Sequence, residues 1–328
     1  MLRTIQFTLA AALLSGSAAI ADDSNLNIAM LLPGNIADNG FMEAGYNGLL
    51  QIEEKFGAEI IYIDQIKPER PALEQALREL AQKKPSMVIA HGGQNNEAAQ
   101  TVAAEFRDIP FVVVQGGVTG PNLSSYEVLQ EESAWLGGAL AGLMTKTGTV
   151  GHISGIRVKP GLKGRGGFYN GLMHTRPDAG FVTTFAGDQD DTALAAKVVQ
   201  DEVAKGADII FTMLNAGRTG ATEAMREAGV KQIGNVIDWT AVEPDVFLAS
   251  AVADVSIPSV QAVADLVNGT WKPGTIRMIG LENPAAVRLT MGKDVPAEIQ
   301  AKINELRDQI VRKEITVSTE FDGPELEY

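Results

Sequence analysis

The chain has 328 residues, enough for two ordinary domains, with 45 % hydrophobic and 21 % charged residues, the balance of a globular protein. Its formal net charge is −14 and no basic run occurs, which excludes the concentrated Lys/Arg surface that nucleic-acid binding needs. Cysteine is absent, which excludes disulfides, thiol chemistry, cysteine-ligated zinc or iron–sulfur sites and a lipid-modified cysteine.

The N-terminus carries a positive start, "MLR", then the apolar "TIQFTLAAALLSG", too short to span a bilayer comfortably, then the small-x-small "AIA" before Asp22. This order predicts a secretory signal peptide over residues 1–21, cleaved after Ala21. It is preferred to a buried N-terminal helix because no amphipathic period is present. No later apolar run has transmembrane length, so a periplasmic mature chain is expected.

Short apolar runs then alternate with helical patterns. "NIAMLL", "AEIIYI", "SMVIAH" and "PFVVVQ" read as buried parallel strands. Between them "FMEAGYNGLLQIEEKF", "RPALEQALRELAQKK" and "NNEAAQTVAAEF" have helical period. The βαβ series pauses at "GGVTGPNLSSYEV", continues into a long helix, "EESAWLGGALAGLMTKT", and restarts. "TVGHIS", "GFVTTFAG", "ADIIFTM" and "KQIGNVID" are the second set of strands. Their helices are "KGRGGFYNGLMHTR", "TALAAKVVQDEVAKG" and "RTGATEAMREAG". After these come one strand-like run, "VFLASAVADV", and two helical ones, "SIPSVQAVADLVNG" and "PAEIQAKINELRDQIVRK". The pattern predicts an α/β protein of two halves, each a parallel sheet flanked by helices.

No signature of catalysis accompanies this pattern. His91, His152 and His174 lack metal-ligand spacing, and neither HExxH nor a GxSxG elbow occurs in the mature chain. "SGIRVKPGLKGRGG" lacks the phosphate-loop order, and the turn "LLPGNIADNGF" lacks the dinucleotide glycines. No catalytic residue, metal or cofactor is expected. Asp188, Asp190 and Asp191 form the single acidic cluster that an exported nucleoside-acting enzyme could use.

Open parallel sheets bind ligands beyond the carboxyl ends of their strands. Those positions carry Asp38, Asn39 and Phe41 after the first strand, Gln94 and Asn95 after the third, and Gln115 after the fourth. The second half contributes Arg157, Asn215, Asp238 and Trp239. Amides and carboxylates bond hydroxyls and ring nitrogens, and aromatic faces stack on rings, so the set suits a small polar ligand between two lobes. Plainer roles compete with this one. Asp38, Asn95 and Asp191 can cap helices, with capping preferred for Asp191. Phe41 begins a helical stripe and can be core, Trp239 can anchor a lobe surface, and Arg157 can pair with a surface acid.

Three stretches carry a resemblance: "PGNIADNGFMEAGYNGL", "ESAWLGGALAGLMTKTGTVGHISG" and "GADIIFTMLNAGRTGATEAMREAG". Together with "EITV" near the end, they make the chain similar to the basic membrane protein (Bmp) family of ABC-transporter substrate-binding proteins. That family includes the PnrA-like purine nucleoside binders. The resemblance implies a type I periplasmic-binding-protein fold: two Rossmann-like lobes joined by a multi-crossover hinge, closing on a ligand for delivery to an inner-membrane permease. The lobes are expected at 22–128 plus 254–275 and at 129–253 plus 276–328, in a monomer without catalytic activity. The same likeness implies that Asp38 bonds the ligand, Phe41 stacks on its ring and Asp238 binds from the second lobe. The chain departs from the family at Met42, Gln189, Ala253 and "DWTAVEPD", where Trp239 is expected to supply stacking. A purine nucleoside, a free base, another heterocycle or a sugar are the candidate ligands.

Overall fold

The computed structural model describes residues 26–38 and 40–328. The expected signal peptide and Asn39 lie outside these residues. Strand β1 (Asn27–Leu32) runs parallel between β2 (Glu59–Asp64) and β3 (Met87–His91). Side chains alternate across a strand, so both of its faces must be covered. Ile28, Met30 and Leu32 enter one apolar cluster with Leu49 and Ile52 of α1 (Phe41–Phe56). Ala29 and Leu31 enter another with α2 (Arg70–Ala81) and α3 (Asn96–Glu105). The sheet continues through β4 (Phe111–Val114) to β5 (Leu123–Val128).

The second half repeats the plan. Strands β6 (Thr149–Ser154), β7 (Gly180–Phe185), β8 (Ile209–Met213), β9 (Lys231–Val236) and β10 (Phe247–Ala253) are parallel, in the order β10-β9-β8-β6-β7. Helices α4 (Gln130–Met144) and α5 (Lys159–Thr175) pack against each other, as do α6 (Thr192–Ala204) and α7 (Arg218–Ala228). Helix α8 (Ile257–Val267) then returns to α1 of the first lobe, and β11 (Ile276–Ile279) pairs with β5. Strand β12 (Val287–Met291) runs antiparallel to β10, and α9 (Ala297–Val311) packs on α4. The chain therefore changes lobe three times: after β5, after β10 and after β11. It is a pair of α/β lobes of the type I periplasmic-binding kind.

Two expectations need correction. The pause around "LSSYEV" holds a fully buried strand, β5. The lobe boundary expected after residue 275 precedes β11, which belongs to the first sheet. Both segments carry polar residues whose partners lie outside the strand that holds them. Ser125 Oγ donates to the Val118 carbonyl at 2.6 Å, and Arg277 pairs with Asp265 at 2.8 Å.

Beyond α9 the chain has no regular structure and straps the second lobe. Phe321 packs edge-on against Tyr169 and Phe181, and Glu325 pairs with both Arg157 and Arg165. The Leu326 N–H donates to the Thr183 carbonyl of β7 at 2.9 Å. Among the described residues no helix is long and apolar enough to cross a membrane.

Candidate functional site: a cleft between the lobes

A cavity of about 210 Å³ separates the two lobes. Gly40, Glu43, Ala44 and Asn47 line it from the first turns of α1. Leu214, Asn215 and Arg218 line it from the β8–α7 junction, and Val236, Ile237 and Trp239 from the end of β9. A wider depression of about 790 Å³ lies between α6 and the C-terminal strap. Its lining comes from the second lobe alone, so lobe closure cannot enclose a ligand there. We place the candidate site in the interlobe cleft.

Asp38 shapes the first wall. Its carboxylate accepts from the N–H groups of Gly40 (2.8 Å), Met42 (3.2 Å) and Glu43 (3.1 Å), filling the unpaired donors at the entrance of α1. The plainer reading, a cap, thus describes the contacts it makes. Phe41 does not line the cavity; its ring lies 4.3 Å from His91 and packs on the core. His91 is fully buried and donates from Nε2 to the Phe41 carbonyl at 2.9 Å, which leaves Nδ1 without a partner among the described residues. Burial lowers its pKa to about 4, against the raising effects of that carbonyl and of Asp38, so the ring is neutral.

The other expected residues of the first lobe hold backbone. Asn95, fully buried, donates to the carbonyls of His91 (2.9 Å) and Gly92 (3.0 Å), and its Oδ1 has no partner among the described residues. Gln115 accepts from the Val128 N–H at 2.7 Å, tying the end of β5 to the end of β4. Gln94 is exposed and folds against Gly92. None of the three is in the cavity lining.

Asn215 and Trp239 are in that lining. Asn215 reaches across to Gly40, where a Cβ would stand 2.8 Å from its Oδ1. Trp239 donates from its indole to the Asn235 carbonyl at 2.9 Å and stacks on Phe247 at 5.7 Å. Asp238 sits behind it, accepting from the hydroxyls of Thr240 (2.5 Å) and Thr290 (2.8 Å). Burial pushes its pKa up, but these bonds and backbone N–H groups outweigh it, and the net direction is down. Arg157 is absent from the lining: it pairs with Glu325 and lies over the Phe185 ring.

Arg218 is the residue the strand-end reading missed. It lies one helical turn beyond Asn215, and its guanidinium carbon stands 3.5 Å from the Trp239 ring centroid. Nη1 donates to the Leu214 carbonyl at 3.0 Å. Burial lowers its pKa to about 10, partly offset by Glu243. Glu43 and Asn47 were missed for the same reason, being helical positions rather than strand ends. A rule that reads past the strand into the first two helical turns would have found all three.

The acidic cluster is tied to nearby backbone. Asp188 accepts from the N–H groups of Asp190 and Asp191, Asp190 from Ala216, and Asp191 caps α6 through Leu194 at 2.9 Å. Among the described residues no group of His, Asp and Glu could hold a metal ion.

The family model "ABC transporter substrate-binding protein PnrA-like" (Bmp) matches residues 25–320. The chain is 26 % identical to the transcriptional activator protein Med of Bacillus subtilis over 75 % of this chain and 77 % of that one. It is 22 % identical to basic membrane protein A2 of Borrelia garinii, over 88 % of this chain and 87 % of that one. An ABC-transporter solute-binding protein of Aeropyrum pernix superposes with a TM-score of 0.76 at 17 % identity, covering 90 % of this chain and 94 % of that one. With a family match across nearly the whole described chain, this protein belongs to the Bmp family of PnrA-like ABC-transporter substrate-binding proteins.

Proposed function

We propose that the protein is the exported solute-binding component of an ABC importer, closing its lobes on a small polar ring compound and presenting the closed form to an inner-membrane permease. The observation that carries this reading is the cleft itself, lined from both lobes by amide, charged and indole groups. A ligand touching both walls stabilises the closed state by its differential affinity, which is all that transport requires of it. Catalysis has no support from the acidic cluster, whose carboxylates are engaged by backbone N–H groups.

Size narrows the ligand. A cavity of about 210 Å³ is below the roughly 300–1,000 Å³ of drug-sized pockets. In this arrangement it suits a nucleobase or a single sugar better than a nucleoside, which needs the lobes further apart. A thermal-shift screen over nucleosides, nucleobases and sugars tests the proposal. A true ligand at a hundredfold excess over Kd adds about 2.7 kcal/mol and raises Tm by about 5 °C. The recovered ligand should be chemically unchanged. A flat response to every class, or turnover of a nucleoside, refutes the proposal.

A further inference from the structure

A half-buried arginine ordinarily meets a carboxylate. Arg218 does not: among the described residues its single hydrogen bond goes to the Leu214 carbonyl, and its remaining contact is the Trp239 ring. A guanidinium has five N–H donors in a planar fork, so most of them are left for whatever enters the cleft. Glu243, the acid that influences it, is bonded to Arg226 at 2.5 Å. Arg218 also opens α7, where the positive end of the helix dipole favours negative charge.

The two walls differ in chemistry. The second lobe presents Arg218, Asn215 and the indole edge of Trp239, while the first presents Glu43 and Asn47. Burying a cation beside a neutral ligand leaves its charge unmatched, whereas an acid with two acceptor atoms fits the fork. Taking the small-ligand reading above as its basis, we propose that the cleft selects a small organic anion, whose carboxylate or ionised oxo edge is held by Arg218 while its hydrogen-bond donors face the first lobe.

Calorimetry on matched pairs tests this: glucuronate against glucose, orotate against uracil, and urate against hypoxanthine. The wild-type protein should bind at least one acid about 10- to 100-fold more tightly than its neutral partner, the range expected for a hydrogen bond to a charged group. R218Q should abolish that preference. R218K, which keeps the charge but not the fork, should retain part of it and serves if the glutamine variant does not fold. A purely structural Arg218 would change Tm and leave the ratio of acid to neutral affinity intact. Equal affinity for both members of every bound pair, or an acid preference that survives R218Q, overturns the proposal. A neutral nucleoside bound tightly by both wild type and R218Q overturns it while the solute-binding function stands. Failure of all six probes and all nucleosides to bind overturns both.

Discussion

Asp38 and Asp238 stand behind opposite walls of the cleft, and each organises its own turn. Asp38 takes three backbone N–H groups, and Asp238 takes the hydroxyls of Thr240 and Thr290. Their positions were legible because acids at strand ends have few apolar reasons to be there. Their contacts were not, because the donors of Thr290 come from a strand far along the chain. The two buried histidines give a residue-scale prediction. Burial lowers the pKa of His91 to about 4; for His152 burial, with Arg165 as a second cause, lowers it to about 3. Both are neutral in the folded protein, while the unfolded chain takes up protons near pH 6.5. Stability is therefore complete above pH 6.5 and declines as pH falls towards 4, by about 3 kcal/mol for His91 alone. Both imidazoles should remain neutral by NMR at pH 5, and the urea midpoint should fall between pH 6.5 and 4. A protonated His91 at pH 5 in the folded state contradicts this account.

Helices α4 and α5 cross where glycines remove the side chains between them. A Cβ on Gly138 would overlap the Phe168 carbonyl, and one on Gly171 the Trp135 carbonyl. Backbone cannot step aside as a flexible side chain can. Gly138→Ala and Gly171→Ala should each cost about 3 kcal/mol or more in denaturant unfolding. Gly187→Ala, where nothing lies within 4 Å and the cost comes from a φ of 90°, should lose only about 1 kcal/mol. Equal losses at all three would mean that helix contact is not what selects glycine here. Strand β1, with its apolar run, and β6, set between turn residues, were legible to the residue. Strand β5 was not, because Ser124, Ser125 and Glu127 read as loop. Their hydrogen-bonding needs are met by Trp271, Val118 and Lys163, which no local pattern reveals.

At the scale of the molecule, three chain crossings join the lobes. Lys163 of α5 bridges Glu127 of β5 and Glu131 of α4, each at 2.7 Å, across the first crossing. The lobes meet in the cleft where Asn215 approaches Gly40. A methyl group at Gly40 would stand 2.8 Å from Asn215 Oδ1 and displace the amide from the first wall. Gly40→Ala should therefore shift the population towards open lobes. Small-angle scattering should show a larger radius of gyration for the ligand-bound variant, and calorimetry a weaker affinity, with Tm of the free protein little changed. Unaltered affinity would place the closing contact elsewhere. The two-lobed plan and the region of the cleft were legible from strand order. Which side chain crosses the gap was not, because it depends on how far the lobes close.

The C-terminal strap gives Arg157 its partner, Glu325. Strand β7 ends the second sheet, and a bare terminal strand offers unpaired backbone groups to any other chain that can extend it. The segment ending in Leu326 lies against that rim, bonded to Thr183 and accepting from Thr184 Oγ1 at 2.7 Å. Arg157 and Arg165 clamp it in place through Glu325. Arg157, expected from the sequence to contact a ligand, here helps to hold that segment over the bare edge of β7.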